Sequence, residues 1–161
     1  YSEPTVFFEY ALETMKLAHQ KGLKNVWVSN GFMSEQSLEL LLPYIDAANI
    51  DIKGPNDEFY HNYCGGNIKT ILNNLKTMQK ANIHLELTTL IIPGLNDEKS
   101  QIEELVNIIV STVGCDVPWH ISRFFPAWRM LDKKITPLET LHLARDIGKL
   151  AGIKYIHLGN V

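Results

Sequence analysis

Five short apolar runs rich in β-branched residues, at 25–29, 48–52, 84–92, 118–122 and 153–158, are separated along this chain by stretches with helical periodicity. No other feature narrows the possible folds so far. Runs of this length that mostly lack strict two-residue alternation are expected of strands buried in a parallel sheet. The intervening helices are the crossovers that parallel pairing requires. The first helix is expected to start near Ser2 as its N-cap, with Pro4 in its first turn. Phe8, Ala11, Leu12, Met15 and Ala18 share one face, and Gly22 ends it. A second helix begins at Ser34 and stops before Pro43. A third starts near Asn67 and carries Ile68, Ile71, Leu72, Leu75 and Met78 together. A fourth follows Asn96 and aligns Ile102, Leu105, Val106, Ile109 and Val113. The fifth opens on a capping box, Thr136-Pro137-Leu138-Glu139, with Leu138, Leu141, Ala144 and Ile147 inward and Gly152 after its end.

The resulting order, helix and strand alternating five times, predicts an α/β fold with parallel strands and outer helices, one domain over 1–161. The chain opens on a helix with no strand before it. That points to sequence upstream and to a barrel of which five strands are present; a complete, open, doubly wound sheet is the alternative. Of 161 residues, 45% are hydrophobic and 20% charged, which fits a globular domain. A net charge of −3 with scattered Lys and Arg argues against nucleic-acid binding. Cys64 and Cys115 form neither a disulfide framework nor the paired spacing of a zinc site, so a reduced, cytoplasmic chain without bound metal is the simplest reading. No signal peptide is visible, and apolar runs such as Leu90-Ile91-Ile92 are too short to cross a membrane.

In α/β proteins, ligands sit at the C-terminal ends of the strands. Applied here, that rule collects Ser29-Asn30-Gly31, Asp51-Ile52-Lys53-Gly54, Glu86 with Thr88-Thr89, then His120, Ser122 and Arg123, and His157. Ser2-Glu3-Pro4 joins them ahead of the first helix. Asp51 and Lys53 stand two apart and so point the same way. They could hold the amino and carboxylate groups of a zwitterion, or simply pair with each other. Lys53 could also serve as a Schiff-base nucleophile in an aldolase-like barrel. A truncated barrel acting only as a binding module is a third possibility.

Ser2-Glu3-Pro4-Thr5, Val28-Ser29-Asn30-Gly31, Asn49-Ile50-Asp51-Ile52-Lys53-Gly54 and Ile92-Pro93-Gly94-Leu95-Asn96-Asp97, in this order, resemble radical S-adenosylmethionine (SAM) enzymes. The branch is that of the pyruvate formate-lyase activating enzymes. The Cys64-Gly65-Gly66 turn and the stretch Trp119-His120-Ile121-Ser122-Arg123-Phe124 are similar to the AmmeMemoRadiSam-system members. The resemblance implies a partial (β/α)6 TIM-like barrel, here a fragment whose N-terminal strands and cluster loop are missing. It implies a [4Fe-4S] cluster held by a C-x3-C-x2-C loop and SAM bound at the open iron, cleaved to a 5′-deoxyadenosyl radical that abstracts hydrogen. Ser2 and Glu3 stand where relatives bind the SAM amino group. Ser29 and Asn30 match the end of the strand near the ribose and methionine, and Asp51 and Lys53 match the carboxylate-binding pair. Thr88 occupies a position that is often Arg in the activating enzymes. His120, Ser122 and Arg123 face substrate or adenosine. The three cluster cysteines are absent, so the cluster is expected on the full-length parent and this chain alone is expected not to cleave SAM. The implied partners are an electron donor and either a small-molecule substrate or a glycyl-radical enzyme; in the latter case the loop from Trp128 to Lys134, by its position after the fourth strand, is expected to form part of a docking rim.

Overall fold

A computed structural model of the chain describes residues 2–161. Five parallel strands form one sheet in the order β1 (Val26–Ser29), β2 (Ala47–Asp51), β3 (His84–Ile91), β4 (Trp119–Arg123) and β5 (Ile156–Gly159). The helices are α1 (Phe8–Gln20), α2 (Glu35–Leu41), α3 (Asp57–Phe59), α4 (Ile68–Lys80), α5 (Lys99–Val113) and α6 (Leu138–Leu150). Strand order follows chain order without reversal. A doubly wound sheet reverses at a switch point, so that alternative is excluded and the partial-barrel arrangement stands.

Burial alternates along the strands, which corrects the expectation of strands covered on both faces. Trp27, Ala48, Ile50, Leu85, Leu87, Thr89, Ile91, Trp119 and Ile121 are buried. They meet the inner faces of the helices, where Leu38, Ile71, Leu75, Met78, Ile102, Ile109, Leu141 and Ala144 are also inaccessible. Because strand side chains alternate, residues 49, 51, 86, 88, 120, 122 and 157 share the other, open face.

Caps at Ser34 and Asn67 form as read: Ser34 accepts from the Ser37 amide at 3.1 Å and Asn67 from Thr70 at 2.9 Å. Two do not. Glu3, not Ser2, caps the 3-10 turn Pro4–Phe7 that precedes α1. Thr136 is no cap either. It is fully buried, its hydroxyl donating to the Ile91 carbonyl at 2.6 Å and accepting from the Phe124 amide at 3.0 Å, so it stitches the loop after β4 to the sheet. The turn α3 and its π-helical continuation Tyr60–Cys64 were not foreseen; Asn56 caps them through the Phe59 amide. Among the described residues no helix is long and apolar enough to cross a membrane.

Candidate functional site

The first segment is tied to the end of β1 through one carboxylate. Glu3 Oε1 accepts from the Thr5 amide (3.1 Å), the Thr5 hydroxyl (2.6 Å) and Ser29 Oγ (2.7 Å), while Oε2 accepts from the Asn30 amide (2.8 Å). Burial pushes this carboxyl up, but the hydrogen bonds from Thr5, Asn30 and Ser29 outweigh it and hold it below the ordinary glutamate value. Oε1 is saturated; spare acceptor capacity remains on Oε2. Ser29 is buried, and its oxygen also accepts from the Gly31 amide at 3.0 Å, so it braces the loop and offers nothing to a ligand. Gly31 has φ +71°, and a Cβ there would lie 2.6 Å from Ile50. The loop can therefore turn this closely over β2 only at a glycine. Ser2 is exposed and lines a groove beside β1 with Pro4, Phe7 and Val26, apart from the other predicted residues.

Asp51 and Lys53 do point the same way: Lys53 Nζ lies 2.8 Å from Asp51 Oδ2. The Lys53 side chain is 41% exposed, so the pair sits at a boundary where the ammonium can exchange partners. Its backbone is fixed from two sides. The Lys53 amide donates to the Tyr60 hydroxyl at 2.9 Å, and Asn96 Nδ2 donates to the Lys53 carbonyl at 2.8 Å. Burial pushes the Tyr60 phenol up, so it stays protonated. Asn30, Phe32, Lys53, Tyr60, Tyr63 and Cys64 line a cavity of about 250 Å³ beside the pair. Burial raises the Cys64 thiol, with Lys53 opposing, so the sulfur remains a neutral thiol at neutral pH.

The open face continues across β3 to β5. Thr88 donates to Asn49 Oδ1 at 2.7 Å. His120 Nε2 lies 2.7 Å from Glu86 Oε2, and His84 Nε2 lies 3.3 Å from Glu86 Oε1. The rings of His120 and His157 stack at 5.0 Å. Ser122 pairs in register with Leu90 and Gly159 on this face. Arg123, one residue on, turns to the other side: its Nε donates to the Thr136 carbonyl at 2.7 Å and its guanidinium lies over Phe125. It belongs to the loop, not to the group predicted around it. Glu86 and His157, collected by the strand-end rule, join Thr88 and His120 here, and so does Asn49, which counting by twos back from Asp51 would have added.

Among the described residues no group of three His, Cys, Asp or Glu is placed to hold a metal ion. Cys64 is exposed beside the cavity, and Cys115 lies before β4, at the opposite end of the sheet, with its sulfur 3.7 Å from the Ala151 carbonyl. The loop after β4 exposes Trp128, with the Arg129 guanidinium 4.4 Å from its ring centroid.

A family model described as the radical SAM superfamily matches residues 1–107. Over 161 residues the chain is 37% identical to an uncharacterized protein of Methanocaldococcus jannaschii, covering all of this chain and 47% of that protein. It is 27% identical over 114 residues to the (2S)-3-sulfopropanediol dehydratase activating enzyme of Klebsiella oxytoca, 70% of this chain and 35% of that one. The chain thus spans about half, or less, of the curated relatives it matches. In fold it is similar to the crystal structure of a domain of pyruvate-formate lyase-activating enzyme from Bacteroides vulgatus. The TM-score is 0.80 at 16% identity, covering 99% of this chain and 96% of that domain.

Proposed function

This chain belongs to the radical SAM superfamily, and from that premise we propose that it is the cofactor-gripping and substrate-facing part of a SAM-dependent radical enzyme, 1–161 forming one domain in the later portion of its barrel. The observation that carries the reading is the half-exposed Lys53–Asp51 pair at the C-terminal ends of the strands, sharing a cavity with Asn30, whose amide is held by Glu3 Oε2. An ammonium held loosely by its own carboxylate can turn to a ligand carboxylate, and Glu3 Oε2 can accept from a ligand ammonium. These residues fit the amino-acid end of SAM. Bound beside its cluster, SAM supplies a carbon radical that removes a hydrogen atom from substrate.

The described residues do not fit a [4Fe-4S] cluster, which takes cysteine thiolates. We assign the cluster to a part of the protein outside these 161 residues, so the isolated chain is expected to bind SAM poorly and not to cleave it. The family likeness to activating enzymes favours a substrate that is a protein glycine, with a small molecule as the alternative. The exposed Trp128 and Leu131 beside Arg129 offer a docking rim of the residue types that anchor protein interfaces. An external electron donor is required in either case. The test is anaerobic reconstitution of the full-length protein with iron and sulfide, followed by dithionite reduction and assay for 5′-deoxyadenosine. Formation of that product is expected; a four-iron protein that leaves SAM intact would overturn the proposal.

A further inference from the structure

Lys53 lies two residues beyond the end of β2, where the sheet no longer holds its main chain from both sides. The Ile52 amide still donates towards β3, to the Thr88 carbonyl at 2.9 Å. Amides alternate in direction along a strand, so the Lys53 amide points the other way, towards β1. That strand ends at Ser29, in register with Ile50, and no strand residue stands opposite Lys53. The amide is met instead by the Tyr60 hydroxyl at 2.9 Å, from a side chain seven residues on. Tyr60 is itself firmly seated. It is 2% exposed, its amide donates to the Asn56 carbonyl at 3.2 Å, and its carbonyl accepts from the Gly66 amide at 3.3 Å. Beside it, the Phe59 ring fills the space that a Cβ at Gly54 would need. The chain after β2 thus folds back on its own start, with phenyl ring on glycine and phenol on the lysine amide.

We propose that Tyr60 is a positioning residue for SAM: its hydroxyl fixes the main chain of Lys53, so that the ammonium is presented beside Asp51 to the carboxylate of the cofactor. The inference rests on the proposed role of the Lys53–Asp51 pair. Packing alone does not account for the hydroxyl. A phenylalanine would bury the same ring here and spare the desolvation of a polar oxygen. What the oxygen adds is its bond to the Lys53 amide, and the Gly54 amide acts on it as well. Both groups belong to the short stretch of chain that carries the ammonium.

The acceptor is also of the right kind. Burial pushes the phenol up, and the two amides that oppose it do not undo that, so the group stays neutral. A carboxylate in its place would compete with Asp51 for the ammonium. A neutral oxygen holds the main chain and leaves the charged end to a ligand. On the far side of the residue, Asn96 Nδ2 donates to the Lys53 carbonyl at 2.8 Å. With amide and carbonyl both engaged, a flexible side chain starts from a fixed Cα, and the Nζ–Oδ2 contact of 2.8 Å is kept within reach. Asn96 also bonds the main chain at Leu90 and Ile92, so its loss would damage the sheet end. The Tyr60 hydroxyl bears on the lysine stretch alone, which makes it the cleaner probe.

The test is a double-mutant cycle in the full-length protein, reconstituted anaerobically with iron and sulfide and titrated with SAM by calorimetry. Tyr60→Phe, which keeps the ring, is expected to weaken SAM binding about fivefold with iron content unchanged. Added to Lys53→Ala, it is expected to weaken binding no further, because no ammonium is left to place. An equal loss in both backgrounds would mean that the phenol acts elsewhere, and no loss in the wild-type background would mean that Lys53 is placed without it; either overturns the inference. Full affinity in Lys53→Ala alone strikes the proposed function on which the inference rests. The wild-type protein gives a second reading that needs no variant. In residue-resolved hydrogen–deuterium exchange by mass spectrometry, the Lys53 amide is expected to exchange as slowly as the Ile52 amide of the sheet ladder. Exchange at the rate of an open loop overturns the clamp.

Discussion

Asn96 holds Lys53 in place from 43 residues away, its Nδ2 donating to the Lys53 carbonyl at 2.8 Å. The same nitrogen donates to the Leu90 carbonyl at 2.9 Å, and its Oδ1 accepts from the Ile92 amide at 2.7 Å. One buried side chain thus joins the chain ends of β2 and β3. Asn96→Ala leaves three main-chain groups without this partner and is expected to cost about 2–4 kcal/mol. Urea denaturation measures the loss. Asn96→Asp, which keeps the acceptor and loses both donations, should be no better.

Lys53 itself makes no packing contribution of comparable size. In the full-length protein, Lys53→Ala is expected to weaken SAM binding about tenfold or more through loss of one charge-assisted contact. Iron content should stay constant. Lys53→Arg should recover part of the affinity. Titration calorimetry on the reconstituted protein separates these outcomes, and equal affinity in all three would remove Lys53 from the site.

Gly54 is fixed by contact rather than by backbone angle. A Cβ at this position would fall 2.2 Å from Phe59 Cδ1 and 2.3 Å from Cγ. Gly54→Ala must displace a buried ring, at a cost of about 1–3 kcal/mol. Shortening the neighbour as well, in Gly54→Ala with Phe59→Leu, is expected to return part of that stability. Thermal melts of the single and double variants test the coupling.

The acid limb of stability should carry the signature of Glu3. Its folded carboxyl titrates below the ordinary glutamate value, where the unfolded chain titrates. Its contribution is therefore fully present above that ordinary value, fades as pH falls through the folded value, and vanishes below it. Glu3→Gln should be less stable at neutral pH and should lose less on acidification than wild type. Denaturant midpoints measured at about pH 7 and about pH 3 would show the two curves converging.

The alternation of elements was legible in the sequence because β-branched runs and capping residues are local signals. Ser34 and Asn67 announce their helices by bonding three residues on. Thr136 carries the same local pattern, yet its hydroxyl reaches the Ile91 carbonyl 45 positions back, and no window of sequence displays that competitor. The clamping roles of Asn74 and Asn96 were invisible for the same reason. Asn74 Nδ2 donates to the Gly31 and Met33 carbonyls across more than forty residues. On the strands, the two-residue spacing of Asp51 and Lys53 announced that they point the same way, whereas grouping Arg123 with His120 and Ser122 ignored that rule. Residues 120 and 122 face one way and 123 the other, and the same parity would have added Asn49 to Asp51.

Because consecutive strand residues answer to different neighbours, this sheet keeps two ledgers apart. Positions such as Leu87, Trp119 and Ile121 belong to helix packing, while Glu86, Thr88, His120 and Ser122, threaded between them, touch none of it. Mutations at the second set can accumulate without unfolding the first, so such a scaffold can diversify its chemistry faster than its architecture.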